Sequence, residues 1–173
     1  VVRSGQVFLH RNALGAPHMA AMARAKHRPQ PARDKVVIFY GSGTKAHKAE
    51  FVEVLEPALA KVLARRPDQV EIRIIGDFPR LSHLDPDHPA VRIIPPIWDF
   101  EAFCAELAGA DINLSVLFRS VITDAKSEIK WMEAAMLGLP SVVSPTATHQ
   151  EVIEDGVTAM LAEDQAAFVA AIL

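Results

Sequence analysis

The sequence predicts an α/β domain built on one doubly wound parallel sheet with helices on both faces. Three observations predict it. Short apolar runs alternate with amphipathic stretches, a glycine-bearing turn directly follows the first buried run, and a later amphipathic helix stops at a glycine and hands over to another buried run. The first run is Val36-Val37-Ile38-Phe39-Tyr40, continuous and β-branched as a strand buried on both faces should be. Val70 to Ile75, Val91 to Ile94, Ile112 to Val116, Ser141 to Val143 and Thr158 to Leu161 supply the remaining strand candidates. Between the first two strands, Phe51, Val54, Leu55, Ala58, Leu59, Val62 and Leu63 recur at helical spacing. Pro57 interrupts that helix, so a kink or restart is expected there. Trp98 to Leu107 and Gln165 to Leu173 read as two further helices.

The turn after the first strand is Tyr40-Gly41-Ser42-Gly43-Thr44-Lys45-Ala46-His47-Lys48. Glycines between a buried strand and a helix let backbone N–H groups approach a phosphate, and the helix start adds partial positive charge. Lys45, His47 and Lys48 supply cations. The pattern lacks the third glycine of a dinucleotide fingerprint and the Gly-Lys-Ser/Thr of a P-loop. Its place gives it weight, because ligands of such sheets bind at the carboxyl ends of the strands.

The segment from Lys126 to Ser144 is the most informative. It reads as a helix opening with cations, carrying one carboxylate in an apolar run and ending at Gly138 before Leu139-Pro140 and an extended Ser141 to Ser144. On one helix Lys126, Lys130 and Glu133 lie at i, i+4 and i+7 and share a face. Two cations and a carboxylate on one face suit a ligand with phosphates at one end and hydroxyls at the other. Ile129, Met132 and Met136 are expected to face the interior. Lys126 near a helix N-terminus opposes the dipole and calls for an anion. Asp124 or Ser127 is the expected N-cap.

From Glu133 to Ser144, Glu-Ala-Ala-Met-Leu-Gly-Leu-Pro-Ser-Val-Val-Ser, followed by Glu151-Val152-Ile153-Glu154-Asp155-Gly156-Val157-Thr158-Ala159-Met160-Leu161, the chain resembles the nucleotide-sugar-binding half of GT-B-fold retaining glycosyltransferases. The resemblance covers roughly residues 34 to 173 and implies a Rossmann-like domain, the C-terminal half of a GT-B fold. That family carries a glutamate, seven residues, and a second glutamate opening the Glu-Ala segment. The second maps onto Glu133, which by resemblance accepts hydrogen bonds from the nucleotide ribose. The first falls on Ala125, a departure that leaves the sugar contact without its usual residue; Glu128 does not restore the spacing. In the early loop the family's diphosphate-holding arginine is replaced by Ser42, and its lysine by His47 or Lys48. The Ser-Gly-Thr-x-x-His form resembles a subgroup of bacterial polysaccharide-assembly proteins, where it accompanies the Lys-Ser-x-x-Lys form seen from Lys126 to Lys130.

The resemblance makes Lys126 and Glu133 the candidate catalytic residues. Gly41, Ser42, Gly43, Thr44, Lys45, His47, Lys48, Ser127, Lys130 and Glu133 are the candidate donor-binding residues. It implies a UDP-, GDP- or dTDP-sugar as donor, no metal or other cofactor, and a glycan or lipid-linked acceptor held by a separate N-terminal domain. Peripheral membrane association of a full-length protein is compatible with such an acceptor. A non-catalytic module of the same fold, kept for binding or assembly, is the alternative, and Ala125 is its support. A GT-B epimerase or phosphorylase is weaker, because phosphorylase signatures are missing.

Residues 1–34 break the α/β rhythm. Val7 to Leu14 reads as a strand running into a turn, with Arg11-Asn12-Ala13 resembling the family's interdomain crossing, and Arg24 to Asp34 reads as a basic, proline-bearing linker. Residues 1–34 are thus expected to be interdomain strand and linker, and 35–173 the donor domain, truncated within its last helix at Leu173. Such a fragment is expected to be inactive alone.

Composition sets the outer limits. A net charge of −3 excludes a basic nucleic-acid binder, so anionic ligands must be held by local cations. The single cysteine, Cys104, excludes internal disulfides and thiolate metal clusters and fits a reducing, cytoplasmic setting. Cys104 lies on a periodic apolar face and reads as core. Ser82 to His88 has metal-binding composition but no zinc spacing. No apolar run reaches the ~20 residues of a membrane span.

Overall fold

The computed structural model describes residues 5, 10–42, 48–78 and 80–173. Six strands form one parallel sheet: β1 (Val36–Gly41), β2 (Val70–Ile75), β3 (Val91–Ile94), β4 (Ile112–Ser115), β5 (Ser141–Val143) and β6 (Met160–Leu161), in the order β3-β2-β1-β4-β5-β6. Chain order runs outward from β1 in one direction through β3 and then resumes on the other side with β4. The strand order therefore reverses between β1 and β4, the switch point of a doubly wound sheet. β1 is central, paired with β2 from Val36↔Val70 to Gly41↔Ile75 and with β4 from Ile38↔Ile112 to Tyr40↔Leu114.

The period-2 alternation of β1 divides the core. Ile38 and Tyr40 face one layer with Phe51, Leu55, Leu59, Leu114 and Phe168, whereas Val37 and Phe39 face the other with Met22, Cys104, Leu107 and Leu137. The first layer is covered by α3 (Glu56–Arg65) and α8 (Gln165–Ile172). The second is covered by α1 (Ala16–Lys26), α4 (Phe100–Ala108) and α6 (Ile129–Leu137). Two short helices, α5 (Val121–Asp124) and α7 (Ala147–Val152), stand after β4 and β5.

The disturbance expected at Pro57 takes a definite form. After α2 (Lys48–Glu50) the chain makes a π-type turn over Phe51–Leu55 and resumes as α3, with Pro57 in its first turn, where no intrahelical N–H is required. Gly138 ends α6 in the left-handed conformation, φ 80°, as its C-cap role requires.

Four expectations are corrected. Residues 24–26 belong to α1 and not to a linker; Pro17 in its first turn and its alanine-rich sequence favour a helix, and Ala21, Met22 and Ala25 bury it against the sheet layer. The helix expected from Lys126 begins at Ile129, because Ser120 and Thr123 close α5 as a separate turn through a reciprocal capping box. Glu128, not Asp124 or Ser127, holds the N-cap position of α6. Finally, Glu133, Ala134 and Leu137 form the buried face of α6, while Met136 is exposed. The late start of the helix has no bearing on its phase; the inward face carries charge because Lys130 reaches the Gly41 carbonyl at the end of β1 and Glu133 follows it one turn on. The expected strand at Val7 to Leu9 lies outside the described residues.

Candidate functional site at the switch point

Gly41 ends β1 on the carboxyl side of the sheet, and Lys130 reaches it from α6, the helix connecting β4 to β5. The Lys130 ammonium donates to the Gly41 carbonyl at 2.8 Å and stands 5.4 Å from the centre of the Tyr40 ring. One turn further along α6, Glu133 is buried on the same side. Glu50 of α2 is also buried and within electrostatic reach of both Tyr40 and Lys130. Three elements thus bring a cation, two carboxylates and a phenol to the crevice where the strand order reverses.

Burial governs the charges of this cluster. It lowers the Lys130 pKa to about 8, a shift opposed by Glu133, reinforced by Lys126 and opposed by Glu50. It raises the Glu133 pKa to about 7 against the pull of Lys130. The Tyr40 phenol is driven well above its ordinary range by burial, with Ser42 opposing and Glu50 adding. Cys104 is buried in the second core layer and pushed to about 11, chiefly by burial and then by Glu133, so it is a core thiol.

Of the sequence-predicted site residues, Gly41, Ser42, Lys130 and Glu133 converge here. Ser42 is buried and its N–H donates to the Ile75 carbonyl at 2.8 Å, closing the turn against β2. Gly76 follows β2 with φ 153°, and a Cβ there would stand 2.8 Å from the Ser42 carbonyl oxygen, so only glycine permits this approach. Lys48 opens α2 and pairs with Asp77 at 3.4 Å. Lys126 and Ser127 lie in the turn before α6, not on its face, and the Lys126 N–H donates to the Thr123 carbonyl at 3.1 Å. Gly43, Thr44, Lys45 and His47 lie outside the described residues.

Sequence reasoning passed over three groups close to these residues. Glu50 carries no motif, and only the fold places it near Lys130. His149, the third residue of α7, is buried with Nδ1 2.8 Å from the Ser144 carbonyl, and burial lowers its pKa, so it is a neutral imidazole. Arg11, from the stretch before α1, pairs with Glu128 at 3.7 Å and with Glu151.

In the loop at Ser82 to His88, polar groups serve the loop itself. Glu56 accepts from the N–H groups of Ser82, His83 and Leu84, and His88 Nδ1 accepts from the Ala90 N–H at 3.1 Å. Among the described residues, no group of three or more His, Cys, Asp or Glu is placed to hold a metal ion, and no helix is long and apolar enough to cross a membrane.

A doubly wound parallel sheet with its polar cluster at the switch point defines the class: an α/β domain whose candidate site lies at the carboxyl ends of its strands. Residues 34–173 match the family of glycosyl transferases group 1, and the chain belongs to that family. No curated protein matches the sequence. Among solved structures, the fold is similar to the C-terminal domain of the group 1 glycosyl transferase LpcC from Francisella tularensis, at 12% identity and TM-score 0.54, covering 91% of this chain and 81% of that one. It is also similar to a UDP-forming α,α-trehalose-phosphate synthase from Burkholderia xenovorans, at 11% identity and TM-score 0.63, covering 90% of this chain and 41% of that one. Anabaena HepE in complex with UDP and glucose matches at 16% identity and TM-score 0.54, covering 91% and 41%. The chain therefore spans about two fifths of the length of the latter two proteins. The fold is that of the C-terminal domain of GT-B proteins.

Proposed function

We propose that this chain is the nucleotide-sugar donor-binding domain of a glycosyltransferase, with the nucleoside diphosphate in the crevice between the Gly41 turn and the start of α6. The observation that carries this reading is the Lys130–Gly41 bridge with Glu133 buried one turn on. Together they put a cation and a hydroxyl-accepting carboxylate one helical turn apart at the switch point. In this reading Glu133 accepts from the ribose hydroxyls, and Lys126 and Lys130 face the diphosphate. Transfer then depends on stabilising the departing diphosphate with fixed cations and backbone N–H groups, without a protein nucleophile or a metal. The acceptor, a glycan or lipid-linked glycan, would be held by another domain, and this chain alone would bind donor without turnover. HepE, solved with UDP and glucose, supports a nucleotide-sugar ligand for a domain of this fold.

The second reading, a non-catalytic module, is favoured by Ala125 at the position of the family's first glutamate. Calorimetric titration with UDP, GDP, dTDP and ADP, with inorganic phosphate as control, tests the first reading. Saturable binding of one diphosphate, weakened by Glu133→Ala, supports it. Absence of binding by all four at millimolar concentration favours the second.

A further inference from the structure

In the π-type turn after α2 the Glu56 N–H donates to the Phe51 carbonyl, five residues back. On an ordinary α-helix residues five apart point about 140° away from each other. The i→i+5 turn sets Phe51 and Glu56 one above the other, and both are fully buried. Phe51 stacks on Tyr40 at the end of β1, ring centres 5.0 Å apart, and meets Phe78 at 4.5 Å. Glu56 takes hold of the same segment further along. Its Oε1 accepts from the N–H groups of Ser82, His83 and Leu84 at 2.5, 2.6 and 3.1 Å. Successive N–H groups converging on one oxygen form an anion nest, here filled by the chain's own carboxylate.

The other oxygen, Glu56 Oε2, is buried with no hydrogen-bond partner among the described residues. A carboxylate withdrawn from water with one oxygen unmatched costs stability, so net stabilisation does not account for a glutamate at this place. What the residue secures is the path of the chain after β2. That segment supports the turn after β1 at three points: Gly76 permits the close approach to the Ser42 carbonyl, Asp77 pairs with Lys48 at 3.4 Å, and Phe78 packs on Tyr40 and Phe51. The Ser42 N–H bond to the Ile75 carbonyl closes the same junction.

We propose that Glu56 is a positioning residue for the ligand-binding turn at Gly41 and Ser42, acting through the segment after β2, which it ties to α3 while Phe51 ties it to β1. Being fully buried, Glu56 touches no ligand itself. The inference rests on the donor-binding reading for what the turn holds, and on the packing alone for the brace.

Amide hydrogen exchange and calorimetric titration test it together. In the native chain the amides of Ser82, His83, Leu84 and Ser42 should open as one unit, with opening constants within about threefold of one another and the same dependence on urea. Glu56→Leu should speed the exchange of all four by about tenfold or more, the scale of one lost hydrogen bond to a charged group. The Ser144 amide, bonded to the Ser115 carbonyl beyond this segment, should keep its rate. The same variant should weaken the tightest binder among UDP, GDP, dTDP and ADP by about tenfold. Glu56→Gln keeps an accepting oxygen and should bring exchange and affinity back to within about threefold of native. Independent opening of Ser42 in the native chain overturns the brace without any variant. So does a folded Glu56→Leu chain with native affinity and native Ser42 protection, or a loss of affinity that Glu56→Gln shares in full. If none of the four diphosphates binds the native chain, the donor reading falls, while coupled opening that Glu56→Leu accelerates still sustains the brace.

Discussion

The Lys130 ammonium lies 2.8 Å from the Gly41 carbonyl oxygen across a sequence separation of 89 residues. This bridge joins the end of β1 to the helix between β4 and β5, across the point where the strand order reverses. An ammonium has three donors, so the bridge fixes Lys130 in place and still leaves two N–H groups to offer elsewhere.

Binding of nucleoside diphosphate should be bell-shaped in pH. Glu133 serves as an acceptor for ribose hydroxyls when ionised, which requires pH above about 7. Lys130 attracts the diphosphate when protonated, which requires pH below about 8. Affinity should therefore peak between those values and fall on both sides. Calorimetric titrations across this range check it: Glu133→Gln should lose the acid limb and Lys130→Met the alkaline limb.

The same pair should lower stability near neutral pH. The Glu133 pKa is raised from its ordinary value to about 7, so between the two the folded state binds more protons and stability falls as pH rises. The Lys130 pKa is lowered to about 8, so above that value the unfolded state binds more protons and stability rises with pH up to the ordinary lysine value. The contribution of the pair is least favourable between about 7 and 8, where both groups are charged and desolvated. Urea unfolding of the Lys130→Met, Glu133→Gln double variant should show this trough removed. An unchanged profile would show that these groups do not titrate as the burial implies.

Gly76→Ala should damage binding as well as folding. The new Cβ would meet the Ser42 carbonyl at 2.8 Å at a φ of 153°, which forces the turn after β1 to move. A loss of about 1–3 kcal/mol in stability is expected from the strained backbone, together with weaker diphosphate binding. Gly138→Ala is the control. Its Cβ has open space, the nearest atom being Lys26 Nζ at 3.8 Å, so it should cost about 1 kcal/mol of stability from the left-handed φ alone and leave binding unchanged.

Much of the fold was legible because its strands are short and rich in β-branched and apolar residues, and β2, β3 and β5 have the bounds that the sequence predicts. The long helix before β2 was legible from its spacing, and Pro57 signalled the irregularity that the π-type turn accommodates. The first helix was not, because alanines contribute little to an amphipathic pattern and its buried face is only Ala21, Met22 and Ala25. In the candidate site, Lys130 and Glu133 were linked correctly by their helical spacing. Lys126 was misplaced, since a continuous polar-apolar pattern gave no sign that α5 closes on its own capping box. Glu50 and Arg11 were illegible in principle: their proximity to α6 arises from contacts between segments far apart in sequence, and no local pattern encodes it.

The most direct test of a functional donor site is a titration of this chain with nucleoside diphosphates, comparing the native sequence with Glu133→Ala. Donor binding through Glu133 predicts saturable binding of one diphosphate that weakens by about 1–3 kcal/mol in the variant, the scale of hydrogen bonds to a charged group. Equal affinity in the two proteins would contradict it and remove Glu133 from the site.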